Sequence, residues 1–151
     1  MSSALEAVQQ ALVVRLGGPV SGALEAVQRQ LVARLQAHAA LMELISGIFD
    51  GPPPRAKFPY IALATGASLD WSHKGGVGRE LSLALTIHDD GETAARLHRL
   101  MALVEDALEP GLDDPDGWQI VTFEFRRTRI LRSAVSPWSG LTEYRARVLR
   151  E

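Results

Sequence analysis

The chain has 151 residues, 46% hydrophobic and 23% charged, with 16 basic and 18 acidic side chains and a net charge of −2. That length is one domain's worth, enough to bury roughly 68–70% of the unfolded surface. The near balance of charge excludes a global attraction to nucleic acid or anionic lipid. The absence of cysteine excludes a disulfide scaffold, thiolate-bound zinc and thiol catalysis.

Residues 4–16 (ALEAVQQALVVRL) and 23–35 (ALEAVQRQLVARL) repeat at an offset of 19, with ten of thirteen positions identical. Each copy places apolar residues on one helical face: Leu5, Val8, Leu12 and Leu16, then Leu24, Val27, Leu31 and Leu35. Gly17-Gly18-Pro19 separates the copies, and Ser21 is the candidate N-cap of the second. Two copies are too few for a solenoid. The expected organisation is an extra N-terminal helical segment, 1–20, followed by a single domain, 21–151. The N-terminus lacks the basic flank and unbroken apolar run of a signal peptide. No stretch approaches the roughly 20 apolar residues of a membrane span. The chain is expected in the cytoplasm, or in something assembled there.

Residues 39–46 continue a helical pattern (Ala40, Leu41, Leu44, Ile45) as far as Gly47. Gly51-Pro52-Pro53-Pro54 must be an extended connector. A short strand follows at 60–65, then a long loop or hairpin tip at 66–78. Residues 79–88 alternate, with Leu81, Leu83, Leu85 and Ile87 on one face and Ser82, Ala84, Thr86 and His88 on the other. Asp90 can cap the next helix. That helix carries a stripe of Leu97, Leu100, Met101, Val104 and Leu108, with a Glu92–Arg96 pair outside. Pro110-Gly111 ends it, and residues 113–117 form a turn. A long strand at 118–131 puts Val121, Phe123 and Phe125 on one face. Residues 133–140 read as a loop. A last strand at 141–150 sets Tyr144, Ala146 and Val148 against Arg145 and Arg147. The order ααββαββ indicates an α+β fold, a largely antiparallel sheet with helices packed on one face. The expected core includes Leu81, Leu83, Leu85, Leu97, Met101, Val104, Phe123, Phe125, Tyr144 and Val148.

The common catalytic and binding signatures are missing. There is no G-x-S-x-G elbow. Lys74-Gly75-Gly76-Val77-Gly78 leads into a strand, unlike a phosphate-binding loop, and reads as a hairpin tip. A calcium loop aligned on Gly117 would need oxygen ligands where Leu112 and Phe123 stand. His38, His73, His88 and His98 show no metal-ligand spacing; His88 beside Asp89 and Asp90 reads as a strand end next to a helix cap. No catalytic, cofactor-binding or metal residues are assigned, and no cofactor is expected. One bias stands out. From residue 118 onward, Arg126, Arg127, Arg129, Arg132, Arg145, Arg147 and Arg150 face only three glutamates. Such a run suits a solvated outer face, a protein interface or a nucleic-acid backbone.

The pattern resembles the small tail-completion or tail-terminator proteins of long-tailed bacteriophages and phage-like gene transfer agents. Phe58-Pro59-Tyr60-Ile61 opens a strand after a proline-rich connector, and Trp71-Ser72 sits in the next loop. The strand from Leu81 to His88 runs directly into a helix carrying Arg96 and Met101. Phe123-Glu124-Phe125 leads to Thr128-Arg129-Ile130-Leu131, and the chain closes on Leu141-Thr142-Glu143-Tyr144-Arg145-Ala146-Arg147. The resemblance covers about residues 23–151. It departs at the duplicated segment 4–16 and at a last hairpin loop, 131–140, longer than the family's tight turn.

The resemblance implies a structural role without catalysis. It implies a homo-oligomeric ring, typically a hexamer, at the head-proximal end of the tail of a virion or phage-like particle. Such a ring stops tube polymerisation and docks the head–tail connector or stopper protein, with DNA passing through it and no specific nucleic-acid or membrane contact. Interface anchors favour Arg, Tyr and Trp. The contacts are therefore expected at Trp71, His73, Lys74, Arg126, Arg129, Trp138, Arg145 and Arg147. The competing expectations are a head-completion protein of the same particle, or an α+β nucleic-acid-binding module with Phe123 and Phe125 as stacking residues. The module lacks the characteristic K/R-G-F/Y core. An enzyme is the weakest expectation, because no acid, base or nucleophile converges.

Overall fold

The computed structural model describes residues 22–51, 53, 55–64, 66–132 and 137–151. The segment 1–20 and the cap expected at Ser21 lie outside the described residues. The chain runs α1 (Ala23–Gln36), α2 (Ala39–Leu44), β1 (Ile48–Phe49), β2 (Tyr60–Leu63), β3 (Ala67–Asp70), β4 (Gly78–Asp89), α3 (Ala95–Leu108), β5 (Trp118–Leu131) and β6 (Trp138–Arg150). Strands β1 and β3 are additions to the expected order. The first has only two residues, and all four residues of the second are exposed, so neither carries an alternating apolar signal.

The six strands make one sheet in the order β1-β2-β4-β6-β5, with β3 also on β4. Only β1–β2 is parallel. Strand β4 is the axis. Its second half pairs with β2 and its first half with β3, while its whole other side pairs with β6. Leu81, Leu83, Leu85 and Ile87 lie opposite Ala146, Tyr144, Thr142 and Gly140 of β6 on one face. All eight are buried, and the helices cover this face. Helix α3 buries Leu97, Leu100, Met101, Val104 and Leu108, the expected stripe. Helix α1 adds Val27, Leu31 and Leu35, with Leu24 partly buried. Helix α3 lies tight on the sheet at Gly140, where an added Cβ would stand 2.7 Å from Met101 Sδ.

Two local arrangements join helices to their neighbours. Asp90 does not cap α3; the N-cap is Ala94, without a side-chain bond. Arg96 pairs instead with the fully buried Asp89 and with Asp90, and no bond to Glu92 forms. The helix starts only at Ala95, so Glu92 lies before its first turn, and the two carboxylates at the strand end bond the guanidinium instead and raise its pKa. At the α1–α2 corner, His38 Nδ1 accepts the Leu41 backbone N–H at 3.2 Å, so its Nε2–H donates to Asp106 of α3 at 2.8 Å. That ring ties the corner to α3.

Strand β5 departs from simple alternation. Register shifts occur between Ile120 and Thr122 and between Phe125 and Arg127. Such bulges leave an extra residue on one strand and re-phase the faces. Ile120 and Phe123 therefore pack toward the core, while Val121 stands exposed. Phe125 is not a core residue: it is 48% exposed, because β5 is the sheet edge beyond the helical cover. Its ring meets Tyr144 edge-on, and Phe123 stacks flat on the same tyrosine at 4.9 Å. At the other end of the hairpin, 138–140 are the first residues of β6 and not part of a loop.

Candidate assembly surface

The face of the sheet opposite the helices is open and charged. Alternation in β4 and β6 and the bulges in β5 deliver Glu80, Glu143, Arg145, Arg147, Glu124 and Arg127 to it. Cross-strand neighbours on an antiparallel pair sit close enough for opposite charges to bond. Glu80 lies across from Arg147 and accepts its Nε–H at 3.0 Å. Glu124 lies across from Arg145 and accepts its Nη2–H at 3.1 Å. Arg145 also stands 3.7 Å from Glu80, bridging the two acids. Arg127 bonds Glu143 across the outer ladder, which raises its guanidinium pKa further. Arg126 lies 3.9 Å from Glu124. A groove of about 440 Å³ runs over this lattice, lined by Ser82, Ala84, Arg126, Arg127, Glu143 and Arg145 among others.

The expected contact residues fall into three places. Trp71, His73 and Lys74 occupy the tip of the β3–β4 hairpin. Trp71 meets His73 edge-on at 4.9 Å and takes the Arg147 guanidinium over its ring at 5.4 Å, so Arg147 joins the tip to the open face. The tip is braced by Ser72: its backbone N–H donates to Asp70 at 3.2 Å, its hydroxyl to the same carboxylate at 2.6 Å, and Gly78 N–H donates to that hydroxyl. These bonds to Ser72 lower the Asp70 pKa. Arg126, Arg129 and Arg145 lie on the β5–β6 side. Trp138 stands at the start of β6 and packs within the chain. Its Nε1–H donates to Gly91 carbonyl oxygen at 3.0 Å, and Arg132 lies over its ring at 4.8 Å.

The acidic partners Glu80, Glu124 and Glu143 are the residues that sequence reasoning missed. Alternation gives the face of each, but only strand register says which arginine each one meets. Asp113 and Asp114 of the acidic turn are also engaged, the first 3.5 Å from Arg34 and the second accepting Ile120 N–H at 2.8 Å. The phenylalanines of β5 face the helices while the arginines of β6 face away, so Phe123 and Phe125 do not share a face with those arginines. Among the described residues, no three His, Asp or Glu side chains converge on a metal position. No helix there is long and apolar enough to cross a membrane.

The described residues thus form a small α+β domain with one helix-covered face and one open, ion-paired face. The chain belongs to the tail completion protein gp17 family, whose model matches residues 29–149. Its role is therefore structural, in tail completion, and not catalytic. A chain from the virion of a native gene transfer agent particle is 27% identical. That match covers 85% of this chain and 99% of the other, with a TM-score of 0.74. The gp17 protein of bacteriophage SPP1 shares the fold at 18% identity and a TM-score of 0.56, over 81% and 88% of the two chains. No curated protein matches.

Proposed function

We propose that this chain is the tail-terminator subunit of a phage-like particle. About six copies close a ring on the head-proximal end of the tail tube. The ring stops tube polymerisation and presents a docking surface to the head–tail connector. The observation that carries this reading is the near-complete overlay on a gene transfer agent virion chain, 99% of which is matched. A ring subunit needs two dissimilar flanks that meet head to tail, and an open sheet with different edges, β5 on one side and β1 with β3 on the other, supplies them. The test is deletion of the gene from a particle-producing host, followed by electron microscopy. Overlong or headless tails are the expected result. Normal tails joined to normal heads would overturn the reading. Normal tails beside heads that have lost their DNA would favour the head-completion alternative.

A further inference from the structure

Among the described residues, the exposed large apolar side chains are Leu69, Val77, Val121, Phe125, Ile130 and Leu131. All six lie on the β3–β4 hairpin or on β5, the opposite edges of the sheet. Unpaired edge strands flanked by apolar side chains are templates for pairing with another chain, and soluble proteins normally blunt them. Here each edge exposes large apolar side chains, Leu69 and Val77 on one and Val121, Phe125, Ile130 and Leu131 on the other.

We propose that β3 of one copy pairs with the outer half of β5 in the next copy, extending one sheet around the oligomer. This rests on the ring reading and specifies its interface. The occupant is a second copy for three reasons. First, strand direction alternates from β3 through β4 and β6 to β5. β3 itself stands level with residues 120–124 of β5, so a copy carried sideways and staggered along the strands brings its β3 antiparallel to the outer run of β5, the commoner pairing. Second, β3 has four residues, and the bulge-free end of β5 beyond Arg127 is the run 128–131, so the lengths match. Third, the run 128–131 carries one charge, Arg129, and β3 carries one, Asp70, so no like charges oppose each other across the pairing. Face parity adds specificity. Leu69 lies opposite Glu80 on the open face, as Leu131 lies opposite Ser139. A continuous sheet that pairs 67–70 with 131–128 would set Leu69 beside Arg129, with Leu131 one pair along on the same face.

The natural absence of cysteine makes the test clean. Particles are produced with the double variants Leu69→Cys/Leu131→Cys and Leu69→Cys/Arg129→Cys, which sample the two registers that keep these residues on one face. They are then oxidised and run on denaturing gels. The expected result is a ladder of covalent oligomers from at least one double variant and only monomers from each single variant. A second variant, Leu69→Arg, sets like charges against the β5 arginines. It should leave the thermal unfolding of the isolated subunit unchanged while removing the protein from particles. Microscopy of the tail end reads the ring separately. A ring of this chain with no ladder from either pair, or with Leu69→Arg fully incorporated, overturns the edge pairing and leaves the ring reading intact. Dimers from Leu131→Cys alone would mean a two-fold contact and would also overturn it, as would cross-links to a different particle protein. The absence of any ring overturns the reading beneath it.

Discussion

At Leu83 the alternation of β4 meets the helical layer, and the side chain is almost fully buried. Leu83→Ala should lower unfolding free energy by about 2–5 kcal/mol in reversible denaturation, whereas a loss below about 0.5 kcal/mol would place this residue on the wrong face. Two glycines separate a rigid from a yielding neighbour. A Cβ at Gly78 would stand 2.5 Å from the Trp71 carbonyl oxygen, which cannot move without opening the hairpin. At Gly140 the obstacle is the flexible end of Met101. Gly78→Ala is therefore expected to destabilise the subunit more than Gly140→Ala, by a measurable drop in melting temperature. Titration adds a third check. Burial, followed by the nearby Glu105 charge, pushes the Tyr144 phenol up to about 12, and burial also raises Tyr60. These are the only two tyrosines. Phenolate absorbance at pH 10 should thus fall short of that of free tyrosine, and the Tyr144 contribution to stability should be lost as pH rises above 10 toward 12. His88 behaves oppositely, because burial lowers its pKa. Its neutral ring favours the fold above the ordinary histidine value of about 6.5, and that contribution is lost as pH falls below it. His88→Gln should flatten the acid limb of the melting curve.

Among the elements, those that bury one face against the helices were legible in the sequence, because burial imposes a period. Helix α3 carries its predicted stripe, and β6 sets its arginines opposite its core residues. The failures share a cause. Bulges are set by cross-strand register, not by composition, and the first of them left Val121 exposed, while Phe125 keeps the helix-facing side and is exposed because β5 is the edge strand. The glutamates that hold the arginines were invisible for the same reason. Strand β3 is wholly exposed and leaves no apolar alternation to read. The duplicated segment 1–20 belongs at this scale too. The family match begins at residue 29, and a Gly-Gly-Pro break precedes the second copy. Deleting residues 1–20 is expected to leave a cooperative unfolding transition within a few degrees of the full chain. A remainder that is unfolded by circular dichroism would show that the segment is part of the domain.

For the whole molecule, the consequence of the strand order is temporal. The β5–β6 ladder joins neighbours in sequence, whereas β4 must find β6 across on the order of 50–70 residues, with α3 and β5 between them. Closing a short loop costs less entropy than closing a long one, so local pairing leads and distant pairing lags. The outer hairpin should thus be organised in the folding transition state, and the β4–β6 contact should form afterwards. Phe123→Leu, which weakens the stack on Tyr144 inside the hairpin, is expected to slow refolding. Ile87→Val on β4, opposite Gly140 of β6, should mainly speed unfolding. Equal partition of the two effects in stopped-flow chevrons would refute this sequence of events. On this view the rim that carries the exposed apolar residues of β5 takes shape before the rest of the sheet is complete. A newly made subunit would then expose its stickiest strand earliest, and the speed with which β4 closes on β6 would decide how long that strand stays open to wrong partners.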